Sequence, residues 1–182
     1  MFKLCKKYGL SWTGTALIDG EDINEYLKKL SIKCRGLSVS QIANLIQKNI
    51  FEHNRNQEVH FQLCGYENDL PIIYEIDNRG INECKYKIGN GVTGGEYQVF
   101  DELQRRNEVP KCDNEIELAK FIVEYTIDRS EKCGGFVDIL LVTSSKAYWN
   151  QCKNYNIVKD HTISNDSMYK KCVEDMILVA EA

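Results

Sequence analysis

The chain has 182 residues, 43% apolar and 27% charged, the balance of a soluble globular protein long enough to bury a substantial core. Its 23 basic and 27 acidic residues give a net charge of -4 with no basic block, so nucleic acid is not expected as a partner. No run approaches about 18 consecutive apolar residues, which excludes a transmembrane helix. The start, Met1 to Lys7, lacks the apolar core of a signal peptide, so a cytoplasmic location is expected.

Met1 to Trp12 places Phe2, Leu4, Tyr8, Leu10 and Trp12 in two short strands meeting near Tyr8-Gly9. Gly14 to Gly20 then leads into a helix in which Ile23, Tyr26, Leu27 and Leu30 fall at helical spacing. Asp19, Glu21 and Asp22 read as a solvated cap at its start, where the helix dipole favours negative charge. Ser38 and Gln41 form a capping-box pattern that opens a second helix with Val39, Ile42, Ala43, Ile46 and Ile50 as its buried stripe. That helix ends in the polar run His53 to Gln57.

The central stretch runs from Val59 to Ile88. Val59, Phe61 and Leu63 alternate with polar neighbours, as do Ile72, Tyr74 and Ile76, the mark of half-buried strands. Glu67-Asn68-Asp69 and Asn78-Arg79-Gly80 supply turn chemistry, and a third strand follows at Glu83 to Ile88, so an antiparallel meander is predicted. Beyond it, Gly89 to Gly95 precedes a helix through Tyr97, Phe100 and Leu103 that ends at Pro110. Asp113 or Asn114 caps a helix with Ile116, Ala119, Val123 and Ile127 on one face. Phe136 to Thr143 is the most apolar strand, with Ile139 to Val142 buried on both faces. Ala147 to Trp149 and Asn156 to Thr162 are further strands. Ser164 caps a last helix carrying Met168, Cys172, Met176 and Val179.

Helix pairs set between antiparallel strand groups argue an α+β fold in one domain, residues 1–182, with no internal repeat and no linker. A four-layer αββα sandwich, two sheets face to face with helices outside, satisfies every apolar stripe named.

The eight cysteines, Cys5, Cys34, Cys64, Cys84, Cys112, Cys133, Cys152 and Cys172, include no C-x-x-C pair, and His53, His60 and His161 supply no H-x3-5-H. Structural zinc needs such pairs, so no metal is expected and the cysteines read as buried reduced thiols. His60 and Cys64 share a strand face but stand roughly 13 Å apart by the rise per residue, too far for proton transfer. Gly89-Asn90-Gly91-Val92-Thr93-Gly94 fits G-x-G-x-x-G after a strand and before a helix, which raises a nucleotide-binding alternative. A dinucleotide site needs a parallel β-α-β unit and an acidic residue at the end of a second strand. Here the preceding strands form a meander and Asp113 opens a helix, so no cofactor is expected.

The run Cys64-Gly65-Tyr66-Glu67 through Pro71 to Gly80 resembles the proteasome β-type family of N-terminal-nucleophile (Ntn) hydrolases, which carry a comparable Gly-Tyr-Asp … Pro-x-Leu-Tyr-x-Ile-Asp-x-x-Gly run. Ile88 to Gly91 stands where that family has Gly-Ser-Gly before a helix. Glu115 to Arg129 resembles its Glu-Ala-Ile-x-Leu-Ala helix, and Cys133 to Ile139 its Ser-Gly-Gly-x-Ile-x-Val. Phe2 to Asp19 is similar to its early strands. The likeness is strongest over residues 1–143, and residues 144–182 diverge.

The resemblance implies a proteasome-subunit-like sandwich and an oligomer built with proteasome-like subunits, with threonine-peptidase chemistry as the family activity. It also implies a substituted site. Family serines or charged groups are Asn90, Ser130 and Cys133 here, and the chain begins past the strand that carries the family lysine. The nucleophilic threonine, whose own α-amine serves as base, has no counterpart. An inactive or incomplete subunit is therefore expected. The alternative is a threonine peptidase whose nucleophile segment lies outside this sequence. Gly14-Thr15 resembles the bond that the family cleaves to free its threonine, but no lysine follows at a matching strand position, so it reads as a turn after Trp12.

Overall fold

A computed structural model of the chain describes residues 1–15, 17–52, 58–84, 97–111, 115–130, 138–150 and 176–180. The predicted features at His53 to Gln57, Gly89 to Gly95, Asp113-Asn114, Cys133 to Gly135, Asn156 to Thr162 and Ser164 to Cys172 lie outside these residues.

Strands β1 (Phe2–Leu4) and β2 (Tyr8–Gly14) pair antiparallel, with Leu4 opposite Tyr8. The turn between them sits at Cys5–Lys7, earlier than the predicted Tyr8-Gly9, because Cys5 and Lys6 take the left-handed conformation (φ 52° and 64°) and reverse the chain there. β2 ends at Gly14, whose φ is +101° and where a Cβ would lie 2.1 Å from the Glu58 carbonyl oxygen, so only glycine fits. Thr15 N–H then donates to that carbonyl at 2.8 Å. A short hairpin of β3 (Leu17–Ile18) and β4 (Glu21–Asp22) turns on Asp19-Gly20, where a direct run into the helix was expected.

Helix α1 (Ile23–Lys33) is capped by Asp22, whose carboxylate accepts the Asn24 N–H at 2.9 Å, and it buries Ile23, Leu27 and Leu30. The capping box at Ser38 forms as predicted: Gln41 N–H donates to Ser38 Oγ, and Ser38 N–H donates to Gln41 Oε1 at 2.9 Å. It opens α2 (Val39–Ile46), which continues into one wider turn, Gln47–Phe51, that buries Ile50 and Phe51.

The meander is present: β5 (Val59–Glu67), β6 (Leu70–Asp77) and β7 (Gly80–Cys84) pair antiparallel in sequence. β7 starts three residues earlier than predicted because the Asn78-Arg79 turn is tight and Gly80 enters the ladder opposite Asp77. The five-stranded sheet runs β1-β2-β5-β6-β7. One face, with Leu4, Leu10, Val59, Phe61, Leu63, Tyr74 and Ile76, packs under α1 and α2. Burial of this size is the main source of stability here, at roughly 25 cal/mol per Å2 of apolar surface.

Past β7, α3 (Tyr97–Arg105) buries Leu103, and α4 (Glu115–Arg129) follows. A second sheet of three strands runs β10-β8-β9: β8 (Asp138–Val142) pairs antiparallel with β9 (Ala147–Asn150) and parallel with β10 (Met176–Ala180). As predicted, β8 is covered on both faces. Ile139 and Leu141 meet Val123 and Ile127 of α4, while Leu140 and Val142 meet Cys64 and Ile73 of the first sheet. The meander is thus covered on both faces at its middle, whereas alternation alone predicted one wet face.

The end of the predicted last helix is corrected. Met176 and Val179 lie in β10, because Met176-Ile177-Leu178-Val179-Ala180 is a continuous apolar run of the kind a parallel strand carries. The architecture is mixed helix and sheet of the α+β kind. Among the described residues no helix is long and apolar enough to cross a membrane.

Candidate functional site

Of the three positions that the family resemblance singled out, Asn90 and Cys133 lie outside the described residues, so no distance joins them to Ser130. Ser130 is buried, 7% exposed, at the C-terminal end of α4, where its N–H donates to the Thr126 carbonyl at 2.8 Å. Beside it the Arg129 guanidinium stacks on the Tyr125 ring, 3.5 Å from the centroid. The Gly89 to Gly94 run also lies outside the described residues. The strand before it, β7, is antiparallel to β6.

His60 and Cys64 occupy one face of β5 and have separate partners. His60 Nε2 lies 3.8 Å from Glu75 Oε1 across the ladder, while Cys64 is sealed between the two sheets. Burial pushes the Cys64 thiol up to about 12 against a hydrogen bond from the Gly9 backbone that lowers it. Cys34 rises to about 12 through burial and then through its neighbour Cys5. Cys84 rises to about 11 through burial and then through Glu75. Burial holds both thiols protonated at neutral pH, so neither Cys34 nor Cys64 is an activated nucleophile.

Two polar groupings escaped the sequence reading. At the mouth of α2, Ser40 Oγ donates to Glu67 Oε1 at 2.6 Å, Ser38 Oγ and Ser40 Oγ lie 2.9 Å apart, and Tyr74 Oη reaches Glu67 Oε2 at 3.5 Å. The chain thus fastens the N-terminus of α2 to the end of β5. Register sets Tyr74 opposite Leu63, on the same face as Glu67, and the tyrosine reaches along that face to the carboxylate, which no spacing along the sequence announces. The second grouping joins the β1–β2 turn to the end of α1. Cys5 N–H donates to Ser31 Oγ at 3.2 Å, and Cys5 Sγ donates to the Ser31 carbonyl at 2.9 Å, next to Cys34. Among the described residues no group of three or more His, Cys, Asp or Glu side chains could hold a metal ion.

No protein-family model matches the chain, and no curated protein matches it significantly.

Proposed function

We propose that the chain is a proteasome-like subunit that contributes scaffold, not peptide hydrolysis, to an oligomeric assembly. One observation carries the reading. Cys64 and Ile73 of the first sheet meet Leu140, Val142 and Ala147 of the second, with α1 and α2 outside one sheet and α4 outside the other. On this reading those layers are a four-layer αββα sandwich of the Ntn-hydrolase type. The motif run Cys64 to Gly80 is its β5–β6 pair and following turn, and Glu115 to Ile139 spans its outer helix and the strand beneath.

The scaffold role is supported by the residue at the one described family position. Ser130 sits at a helix end, and the buried thiols of Cys34 and Cys64 are held protonated. The partners on this reading are copies of the chain or related subunits, because ring-forming contacts bury heterologous surfaces. The test has two arms. Size-exclusion chromatography with light scattering should give a multiple of the 21.0 kDa chain mass, and a monomer at micromolar concentration would count against the proposal. A fluorogenic peptide should stay uncleaved. Hydrolysis blocked by a threonine-directed epoxyketone would replace the scaffold reading with an active threonine peptidase.

A further inference from the structure

We propose that one end of the first sheet is a self-complementary surface through which two copies of this chain meet, the cationic side of each set on the acidic hairpin tip of the other. The inference rests on the assembly reading above and names the surface that assembly uses. Strand register gathers the parts. β1 and β2 are joined by the turn at Cys5–Lys7, and the pairing of Gly9 with Cys64 puts that turn beside the stretch of β5 that runs on to the Asn68-Asp69 turn. The end of α1 joins them, because Cys5 N–H donates to Ser31 Oγ at 3.2 Å and Cys5 Sγ donates to the Ser31 carbonyl at 2.9 Å. The start of α2 forms the seam: Tyr8 Oη donates to the Leu37 carbonyl at 2.9 Å, and Ser40 Oγ to Glu67 Oε1 at 2.6 Å.

Charge divides along that seam. On one side Lys6, Lys7, Lys33 and Arg35 are all exposed, and none forms an ion pair among the described residues. On the other, Asp69 is exposed at the hairpin tip and likewise unpaired among the described residues, and Glu67 lies between Ser40 and Tyr74. Each side also bares one apolar side chain. Ile32 is 64% exposed next to Lys33, and Leu70 is 69% exposed next to Asp69, the two most exposed large apolar residues among those described. A two-fold rotation sets cations on carboxylates in both halves of the contact at once, as an isologous interface requires. The same division argues against other occupants. A bilayer or a nucleic acid laid over the lysines would press its phosphates on Asp69 and Glu67 too, and like charges brought together in a contact are penalised. An exposed charge pair shifts an equilibrium only about 1.4- to 5-fold, so the contact is weak pair by pair and sensitive to salt as a whole.

The test is carbodiimide cross-linking of the full chain, mixed from equal amounts of light and heavy isotope-labelled protein. The reagent joins a carboxylate to a touching lysine amine as an amide. The expected product links Asp69 or Glu67 of one copy to Lys6, Lys7 or Lys33 of the other, recognised by its mixed label. In light scattering, Lys33→Glu with Arg35→Glu should raise the concentration at which the particle dissociates by on the order of tenfold, and added sodium chloride should weaken wild type in the same direction. Leu70→Ser, across the seam, should weaken it as well. An assembled particle whose mixed-label cross-links avoid this surface, or that ignores salt and these variants, would overturn the surface and leave the assembly reading standing. A monomer at every concentration, with no mixed-label amide, would overturn both.

Discussion

Gly65 of β5 lies against the Tyr8 ring of β2 and Val39 of α2, and Gly65→Ala tests that packing directly. A Cβ at this position would lie 2.6 Å from Tyr8 Cδ1, 3.1 Å from Tyr8 Cε1 and 3.2 Å from Val39 Cγ2. Ordinary contact begins near 3.4 Å, so the ring must retreat by about 0.8 Å. It cannot do so freely. Tyr8 is 6% exposed, and its hydroxyl donates to the Leu37 carbonyl at 2.9 Å, just before the Ser38 cap. Overpacking of this kind costs about 1–3 kcal/mol. Loss of the Tyr8–Leu37 hydrogen bond adds about 0.5–1.5 kcal/mol. Against this, replacing glycine by alanine stiffens the unfolded chain and returns about 0.4–1 kcal/mol. The steric term wins, and a net loss of about 0.5–4 kcal/mol is expected, seen as a lower urea midpoint at constant slope. In a Tyr8→Ala background the same substitution should become neutral or stabilising, because its main obstacle is gone. Equal or greater stability of Gly65→Ala in the wild-type background would refute the reasoning.

Four further outcomes follow from the same packing. Leu140→Ala opens a cavity between the two sheets and should lower unfolding free energy by about 2–5 kcal/mol in denaturant titrations. Ser38→Ala removes the acceptor of the capping box and should cost about 1 kcal/mol by the same assay. Burial alone raises the Asp77 carboxyl, but hydrogen bonds from the Arg79 side chain and backbone, with the charges of Arg79 and His60, outweigh it and hold the group below the ordinary 3.8. A depressed carboxyl gives stability that is complete above pH 3.8 and lost as pH falls through the folded value, so Asp77→Asn should flatten the acid side of the stability–pH curve. Native iodoacetamide labelling at pH 8 should modify Cys5 well before Cys34 and Cys64, whose thiols burial keeps protonated, as read by peptide mass.

The parts of the fold legible in the sequence are those set by local chemistry. Val59, Phe61 and Leu63 alternate strictly, Asn68-Asp69 accepts positive φ (51° and 62°), and Ser38 with Gln41 forms a cap within four residues. Those signals placed the meander and the second helix. Long-range pairing was not legible. Met176 and Val179 share helical spacing with Met168 and Cys172, and a strand facing β8 across thirty-odd residues of sequence leaves no periodic trace to oppose that reading. Ile73 looked like a polar-face neighbour in an alternating run, and only the arrival of Leu140, Val142 and Ala147 explains why that face is apolar there. Of the three positions that the family resemblance singled out, the sequence offered only residue types, not an arrangement. Ser130 alone of that set falls among the described residues, buried at the end of α4. The Cys5–Ser31 contact depends on a turn meeting a helix end, and composition shows only that cysteines are numerous.

The central claim, that a proteasome-like sandwich serves as an assembling scaffold, is tested most directly by light scattering on the purified full chain across micromolar concentrations. The account predicts a stable particle at a multiple of 21.0 kDa with no peptide hydrolysis in the same fractions. A 21.0 kDa monomer at every concentration, or peptide cleavage that elutes with the protein, would contradict it.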